Sequence, residues 1–539
     1  MDRRRDPLSG FPTGLPRWLR WALSVAPTVL IMVFFAWPVA TLVIEATDSD
    51  DASRMLARPG TASIVWFTAW QAVLSTAATI AIGLGPSYLL SRWSFPGRRL
   101  LAAAVAVPFL LPTVVVGAAF AALLPDRLDA TPAAVICAHV FFNVAVVVRL
   151  VGTVWAQLPD DLVGAARTLG ATPWQATRMI TLPLLRPAIT AAATITFLFT
   201  FTSFGVVQIL GGPAHPTIEV EIARRATLLG DISGAAVLSL MQLLLLVIVI
   251  AVAGRAHRST VALALRRRQR SIARTGRQRA MLSVAAGATA AFVVVPLAAL
   301  ALGSVRIGGR WTLAAWTTLG DRSIRPGVSL PVDPLASIRA SVGFAIAAVA
   351  ISVVIGTSAA LAIAASRSGG RLLDVGVMLP LGTSAVTIGF GMIITFDRAP
   401  FEWRASSWLI PVGHALVATP FVVRGLLPVL RSRPVGWLEA AATLGASPVR
   451  SWWEIDVRRL GRPLVSAAGL AAAVSLGEFG ATTFLSRAGT NTMPIAIAGL
   501  LGRAGDVPHA QAAALAVMLM LMTLVIVVSI DLFDSAVPT

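Results

Sequence analysis

The stretch "EAAATLGASPVRSWWEIDVRRLGRP" at residues 439–463 decides the fold of this chain, because nearly the same text occurs once before. The earlier copy, "GAARTLGATPWQATRMITLPLLRPA", occupies residues 164–188, which is an offset of 275 residues. Over the first ten residues, the two copies are identical at seven positions. Both copies carry charges, glycine and proline inside a strongly apolar chain. A polar segment that recurs at a fixed offset indicates an internal duplication.

The same offset relates residues on both sides of the repeated segment. Because six helices would fit between successive copies, both halves would start on the same side of a membrane, and the repeats would be parallel. Seven paired positions carry identical residues: His139 and His414, Arg149 and Arg424, Pro159 and Pro434, Gly205 and Gly480, Thr217 and Thr492, and Gly230-Asp231 and Gly505-Asp506.

Composition identifies the class of protein. The 539 residues are 56% hydrophobic and 13% charged, and the mean hydropathy is +0.80, values that indicate a polytopic membrane protein. All 44 basic residues are arginine, so a phosphate-binding GxxxxGK[ST] loop is excluded and the chain cannot be a P-loop ATPase by itself. The single cysteine, Cys137, excludes an intrachain disulfide and argues against a thiolate metal cluster.

Hydropathy predicts an all-α polytopic membrane protein with about twelve transmembrane helices, arranged as two parallel six-helix repeats. Arginines concentrate on one side of these spans, which predicts cytoplasmic N- and C-termini and explains the formal charge of +19 without nucleic acid. The predicted spans lie near 22–44, 64–90, 101–123, 133–154, 188–210, 235–254, 281–303, 340–364, 374–396, 409–430, 464–485 and 511–530.

The duplication and the span count divide the chain into three parts. Residues 1–254 form the first half, with six spans, and residues 281–539 form the second, also with six spans. Residues 255–280 form a basic cytoplasmic linker, whose arginines we expect to be solvated beside anionic lipid. A specific partner site on this linker is the alternative.

The repeated segments, 158–187 and 431–463, fall between the fourth and fifth spans of each half, on the arginine-rich side. Each predicts a short helix, a break at Gly-Ala-[Thr/Ser]-Pro, and a second short helix that ends near Pro187 or Pro463. Thr172 and Ser447 are predicted N-caps, each followed by proline at the first helical position. We call each segment an elbow. An elbow could dock into a soluble partner or could lie on the lipid surface. Four apolar side chains could make the contact in either case: Trp174, Met179, Trp452 and Trp453.

The elbow pattern, EAA, three residues, Gly, nine residues, Ile-x-Leu-Pro, resembles the signature loop of ABC-importer permeases. That resemblance implies a type I importer permease fold and two coupling helices, each inserting into one subunit of a cytoplasmic ATPase dimer. Gly164 stands where the acid belongs in the first copy, and Val457-Arg458 replaces Leu-Pro in the second. The matching positions are Ala165, Ala166, Gly170, Ile180, Leu182 and Pro183 in the first elbow, and Glu439, Ala440, Ala441, Gly445 and Ile455 in the second.

Two halves fused in one chain resemble the thiamine and iron(III) permease group, and the segments 201–222 and 475–485 look most like thiamine permeases. The resemblance implies a non-enzymatic subunit of the bacterial inner membrane that imports thiamine or its phosphate esters, with iron(III) as the alternative. It implies an extracytoplasmic substrate-binding protein as a second partner, besides membrane lipids. It implies no cofactor in this chain, since ATP and Mg would be bound by the ATPase.

Polar residues inside spans are candidates for the translocation path, because a charge at that depth is costly. Glu478 is the only acid that we place inside a span, and Ser203 occupies its position in the first half. Pairing of Glu478 with a neighbouring helix is the alternative. Asn143, Thr202 and Ser475 could line the same path or could hydrogen-bond between helices.

The histidines and the outer acids have more ordinary interpretations. His139 and His414 are expected to make hydrogen bonds between packed helices, with metal contact as the minority alternative. His215, Glu219 and Glu221 fall in an outer loop, where we expect solvation and where docking of a binding protein is the alternative.

Two rival classes of function remain to be compared. A secondary transporter driven by an ion gradient predicts relays of intramembrane acids, whereas this sequence places one acid in twelve spans. A membrane-embedded enzyme predicts a cluster of His, Asp, Glu or Ser at a common depth, which five scattered histidines do not provide.

Overall fold

A computed structural model of the chain describes residues 17–47, 55, 57, 59–256, 270–320, 323–325, 328–329, 333–366, 369–397, 402–403, 406–432, 434, 436–487 and 489–535. Residues 257–269 of the predicted basic linker lie outside the described residues.

The described residues of the first half form helices joined by short loops, with one two-residue strand. Helices α1 and α2 are joined by a π-helical turn at Met32–Ala36, and α8 and α9 by one at Thr177–Thr181. The helices are α1 (Arg17–Ile31), α2 (Trp37–Thr47), α3 (Pro59–Arg92), α4 (Arg98–Leu110), α5 (Thr113–Leu123), α6 (Pro132–Trp155), α7 (Asp160–Thr168), α8 (Pro173–Ala176), α9 (Leu182–Phe201), α10 (Gly205–Leu210), α11 (Ile218–Arg224) and α12 (Ile232–Ala256), and strand β1 is Trp93–Ser94.

The second half repeats this order, again with a π-helical turn, Trp452–Val457, inside the elbow. Its helices are α13 (Gly276–Gly303), α14 (Ala314–Thr317), α15 (Pro334–Ala365), α16 (Gly369–Met378), α17 (Ala385–Phe396), α18 (Leu409–Arg431), α19 (Gly436–Thr443), α20 (Pro448–Ser451), α21 (Gly461–Gly477), α22 (Gly480–Leu485), α23 (Met493–Leu501) and α24 (Asp506–Ser535). Its strands are β2 (Ser271–Ile272), β3 (Arg306–Ile307), β4 (Arg310–Trp311), β5 (Ser323–Arg325) and β6 (Val328–Ser329).

The membrane-spanning character of the fold is confirmed. Among the described residues, ten helices are long and apolar enough to cross a membrane, and two bent helix pairs raise the number to twelve if each pair is one span. The bent pairs are α4 with α5 and α16 with α17, which turn by 104° and 100°. They cover the predicted spans near 101–123 and 374–396, so each of these segments is a bent pair of helices rather than one straight helix.

The two breaks have local causes in the sequence. Leu111 and Pro112 adopt extended backbone between α4 and α5, because a residue before proline is disfavoured in helical conformation. In the second half, Ser384 precedes α17, and its Oγ accepts hydrogen bonds from the backbone N–H groups of Val386 and Thr387. This N-cap starts a new helix at the turn.

Close contacts between helices are also duplicated. A Cβ atom added to Gly83 in α3 would lie 2.8 Å from Cβ of Val147 in α6. In the second half, a Cβ atom on Gly356 in α15 would lie 2.8 Å from Cβ of Val422 in α18. Only glycine permits both helix pairs to approach this closely, as is common between membrane helices.

One compact unit of the fold, which we call the second-half unit, comprises residues 1–44, 336–492 and 522–539. Most of this unit comes from the second half of the sequence, but it also contains α1, from the first half. Phe34 of the first π-helical turn packs on Phe396 and Trp408, with ring centroids 5.5 and 5.7 Å apart. Its apolar core also includes residues of α15, α16, α18 and α21.

The other compact unit, which we call the first-half unit, comprises residues 45–335 and 493–521. Helix α13, the first span of the second half, packs here against α3, α4 and α5. Phe292 of α13 contacts Phe141 of α6, with ring centroids 5.8 Å apart. Strand β2 pairs in parallel with β1 and holds the end of the linker beside α3. The first helix of each sequence half therefore belongs to the compact unit of the other half.

Candidate functional site

The first helix of each elbow ends in the same hydrogen-bonded turn. In the first elbow, the N–H of Ala171 donates to the carbonyl of Ala166 at 3.0 Å, and the N–H of Gly170 donates to Arg167 at 3.1 Å. This pair of bonds is a Schellman motif, which requires left-handed backbone at the residue after the cap. Gly170 supplies that conformation with φ of +89°.

The second elbow repeats the turn at the expected offset. Ala446 N–H donates to Ala441 at 3.0 Å, Gly445 N–H donates to Ala442 at 3.0 Å, and Gly445 has φ of +77°. The two glycines therefore stop α7 and α19 in the same way. The second alanine of each motif, Ala166 or Ala441, supplies the accepting carbonyl.

The second helix of each elbow starts at the predicted N-cap. Thr172 Oγ1 accepts from the N–H of Gln175 at 3.3 Å, and Gln175 Oε1 accepts from the N–H of Thr172 at 2.8 Å, which completes a capping box. Ser447 Oγ accepts from the N–H of Arg450 at 3.3 Å. Pro173 and Pro448 follow the caps as predicted.

The end of that second helix differs from the prediction. It does not stop near Pro187 or Pro463 but continues as one helix through the fifth span of each half, Pro173–Phe201 and Val449–Gly477. The π-helical turns lie where the elbow helix joins the span. In a π-helical turn the backbone hydrogen bonds join residues five apart instead of four, so the helix widens locally but does not end. Each elbow is thus continuous with one transmembrane helix.

The most exposed apolar side chains of the elbows were not among the predicted contact residues. Leu169 and Leu444, at the repeat offset, are 88% and 87% exposed. They lie in the turns, outside the helices that could cross a membrane. The signal in the sequence was the identical text Thr-Leu-Gly-Ala at 168–171 and 443–446.

The predicted apolar knobs separate into two groups. Trp174, Met179 and Trp453 are exposed, as expected. Trp452 is half-buried and packs against the apolar core of the second-half unit, so its prediction as an exposed knob is wrong. Trp452 is the first residue of the π-helical turn, and its contacts with the core come from tertiary packing that the local sequence does not report.

The resemblance-based residues all lie at or near the elbow surface. Ala165, Ala440, Glu439 and Pro183 are exposed. Ala166, Ala441, Ile180 and Ile455 are half-buried, and the two glycines form the turns. The structure therefore brings each set together on one elbow.

The two elbows differ in charge. Glu439 lies in the first turn of α19, where a carboxylate is favourable to the helix dipole, whereas Gly164 lies inside α7. In the second elbow, Arg459 lies over the ring of Trp437 at 5.0 Å, and Arg458 pairs with Glu454 at 3.1 Å. Arg458 is the residue that replaces the motif's proline.

Among the candidate path residues, Glu478 and Ser475 belong to one buried network. Glu478 lies at the break between α21 and α22, where its carboxylate accepts from the N–H groups of Ala481 and Thr482 at 2.8 and 2.9 Å. His414 of α18 contacts Ser475 Oγ and Thr482 Oγ1, each at 2.8 Å, and lies 3.4 Å from Glu478. The network joins three helices, which confirms the helix-packing interpretation of His414.

The equivalent position in the first half lacks this network. Ser203 is buried at the break between α9 and α10, and Thr202 donates to the carbonyl of Leu198 at 2.9 Å. Asn143 donates to the carbonyl of His139 at 2.9 Å, and Ser75 Oγ lies 3.4 Å from His139 Nδ1. His139 therefore also bridges helices, but with fewer partners than His414.

The expectation that Glu219 and Glu221 are solvated is wrong. Both are buried in α11. Gln242 of α12 donates to Glu219. Glu221 binds Arg224 at 2.8 Å and Arg225 at 2.7 Å, and Arg225 also binds Asp231 at 2.6 Å. Hydrogen bonding to Glu221 raises the pKa of the Arg224 guanidinium above its usual value.

His215 is likewise held by the protein. Its Nδ1 lies 3.1 Å from the carbonyl of Ala130, and its ring lies 5.6 Å from the ring of Phe67.

The carboxylates of Glu219 and Glu221 can be buried because their charge partners and hydrogen bonds offset the cost of removing them from water. The segment 215–225 is therefore a structured cap on the first-half unit.

Comparisons with known proteins agree with the architecture. Residues 77–262 match the family described as binding-protein-dependent transport system inner membrane component. The thiamine transport system permease protein of Brucella abortus (strain 2308) is 25% identical over 471 residues, covering 83% of each chain. That of Escherichia coli (strain K12) is 24% identical over 518 residues, covering 92% of each chain. These relatives are transport permeases, not enzymes.

A shorter relative matches about a third of this chain. The sulfate transport system permease protein of Escherichia coli (strain K12) is 28% identical over 208 residues, which are 36% of this chain and 75% of the relative.

Proposed function

We propose that this chain, a fused two-half permease that carries the inner-membrane component domain of binding-protein-dependent transport systems, forms the translocation path of an ATP-driven importer. A cytoplasmic ABC ATPase dimer would bind the elbows and would hold all the ATP and Mg. A separate binding protein would deliver the solute to the outer face. Both termini of the chain would lie in the cytoplasm, on the same side as the elbows.

The observation that carries this proposal is the doubled elbow. Two segments 275 residues apart end one helix with a left-handed glycine, start the next with a capped proline, and expose a leucine between them. An exposed apolar side chain on a rigid turn is suited to insertion into a partner's groove. Because each elbow continues into a fifth span, movement of the partner would be transmitted directly to a transmembrane helix.

For the solute, we propose thiamine or its phosphate esters. The support is the similarity to thiamine permeases over most of the chain. Iron(III) import by the same architecture is the alternative, taken from the group resemblance. Proteoliposomes that contain the permease, its ATPase and its binding protein should accumulate labelled thiamine when ATP is enclosed. Uptake of iron(III) and not thiamine would favour the alternative.

Docking is tested by placing a charge on the exposed leucines. We expect Leu169→Asp and Leu444→Asp each to weaken co-purification with the ATPase, and the double variant to abolish it, because a carboxylate would be forced into an apolar groove. Leu228→Asp is the matched control, since Leu228 is 78% exposed in the π-helical segment Arg225–Leu229, outside the elbows. ATP-driven uptake should fall in parallel with ATPase binding.

A secondary transporter would behave differently. Uptake that survives the double elbow variant but collapses when an uncoupler dissipates the ion gradient would overturn the proposal. A coupled ATPase importer instead requires nucleotide hydrolysis and keeps its uptake in the presence of the uncoupler.

A further inference from the structure

An apolar groove lies in the first-half unit, at the arginine-rich end of the spans. Its cavity volume is about 680 Å³, and it is formed between α3, α4 and α6. Leu90, Val105 and Phe109 are among its apolar lining residues, and Arg149 and Arg270 also line it. The groove follows α4 from Ala102 to Leu110, roughly 12 Å at the helical rise per residue.

The repeat identifies what is unusual about this groove. Arg149 corresponds to Arg424, and in the second-half unit Arg424 lies 3.4 Å from one carboxylate oxygen of Asp374. Arg431 lies 3.9 Å from the other oxygen. The second copy of the site therefore carries its own anion between two arginines.

The first copy has no such anion. The text Arg-Leu-Leu at 99–101 and 371–373 aligns α4 with α16 at an offset of 272 residues, which is also the offset between the starts of α5 and α17, and makes Ala102 the counterpart of Asp374. Ala102 lines the groove, so the carboxylate is replaced by a methyl group beside open space. Ala156, the counterpart of Arg431, lines it too.

A second positive charge nevertheless reaches the groove from the linker. Pairing of β2 with β1 holds Ser271 opposite Trp93, and this fixes the preceding Arg270 in the lining of the cavity. Arg270 is close enough to Arg98 for the two charges to repel each other. Among the ion pairs of the described residues, none joins a carboxylate to Arg149 or Arg270.

We propose that this groove binds an anionic phospholipid, whose phosphate takes the place that Asp374 fills in the other half. The phosphate lies between Arg149 and Arg270, and an acyl chain lies along Val105 and Phe109. A lipid satisfies both parts of the site at once, because basic pockets between transmembrane helices on the cytoplasmic side suit anionic headgroups. A free phosphate would leave the apolar part empty. The inference does not depend on the transported solute.

The test measures lipid retention by the full-length protein in detergent, using native mass spectrometry with added phosphatidylglycerol or phosphatidylcholine. We expect the native chain to retain phosphatidylglycerol preferentially. Arg149→Gln should weaken retention about fivefold, and Arg149→Gln with Arg270→Gln on the order of 25-fold. Arg149 is exposed, so these changes leave the core intact.

Ala102→Asp is the sharper variant, because it recreates the internal carboxylate of the second half and should displace phosphatidylglycerol while leaving both arginines in place. Arg424→Gln is the matched control and should leave retention unchanged. Equal retention of the two lipids by the native chain would overturn the proposal, as would unchanged retention in both Arg149→Gln and Ala102→Asp. Displacement of the lipid by millimolar inorganic phosphate alone would assign the site to a free anion and would overturn it too.

Discussion

At the scale of single residues, the duplication places different chemistry at equivalent positions. Glu478 and Ser203 both occupy a helix break, but only Glu478 caps the following helix with its side chain. One proton arrangement satisfies the whole network: Ser475 donates to His414 Nδ1, His414 Nε2–H donates to Thr482, and Thr482 donates to the carboxylate. The acid is therefore anchored by the protein whether or not it also meets the solute.

This anchoring predicts a loss of stability on removal of the carboxylate. We expect Glu478→Ala to lower the free energy of unfolding by about 2–4 kcal/mol, because two buried N–H groups and a hydroxyl lose their acceptor. Glu478→Gln should lower the free energy of unfolding by less than Glu478→Ala, because the glutamine amide keeps one acceptor oxygen while its nitrogen cannot accept a hydrogen bond. Thermal unfolding in detergent measures both changes.

Ser203→Ala is the control at the equivalent position and should change stability by less than about 1 kcal/mol. A Glu478→Ala protein with an unchanged melting temperature but no solute uptake would contradict the structural role and would indicate direct contact between the acid and the solute.

At the scale of secondary-structure elements, the elbow glycines are the decisive residues. Gly170 and Gly445 have positive φ, and a side chain there meets no neighbouring atom within 4 Å, so any effect of substitution comes from backbone strain alone. We expect Gly170→Ala and Gly445→Ala each to cost roughly 1–2 kcal/mol locally. Amide hydrogen exchange across residues 160–169 and 436–444 should accelerate, and ATPase binding should weaken.

Gly164→Ala provides the control within the same elbow. Gly164 lies inside α7, without positive φ and with no atom near the added Cβ, so alanine should stabilise this helix by up to about 1 kcal/mol. Faster exchange in Gly164→Ala than in Gly170→Ala would contradict this account of the turn.

The elbows also show which elements the sequence could predict. Caps and glycine turns depend on residues within a few positions of each other, so Thr172, Ser447 and Gly170 were sufficient. Whether Glu219 is buried depends on Gln242 in another helix. Hydropathy counts apolar residues along the chain and carries no information on such distant partners.

At the scale of the whole molecule, the sequence halves and the compact units differ. Helix α1 lies in the second-half unit and α13 in the first-half unit, although each begins the opposite half of the sequence. The repeat at +275 could reveal the duplication, but not this exchange, because an offset compares residues and does not report which helices pack together. Each compact unit is consequently built from both halves of the chain.

The exchange predicts how the molecule behaves when its linker is cut. We expect residues 1–264 and 265–539, co-expressed as separate chains, to co-purify through an affinity tag on either one, because each compact unit needs helices from both. Expressed alone, residues 1–264 would lack α13, whose Val293 is buried in the first-half core, and should aggregate on size-exclusion chromatography. Residues 265–539 would lack α1 and should behave likewise. If each fragment alone were monodisperse and the two did not associate, the packing of α1 and α13 described here would be wrong.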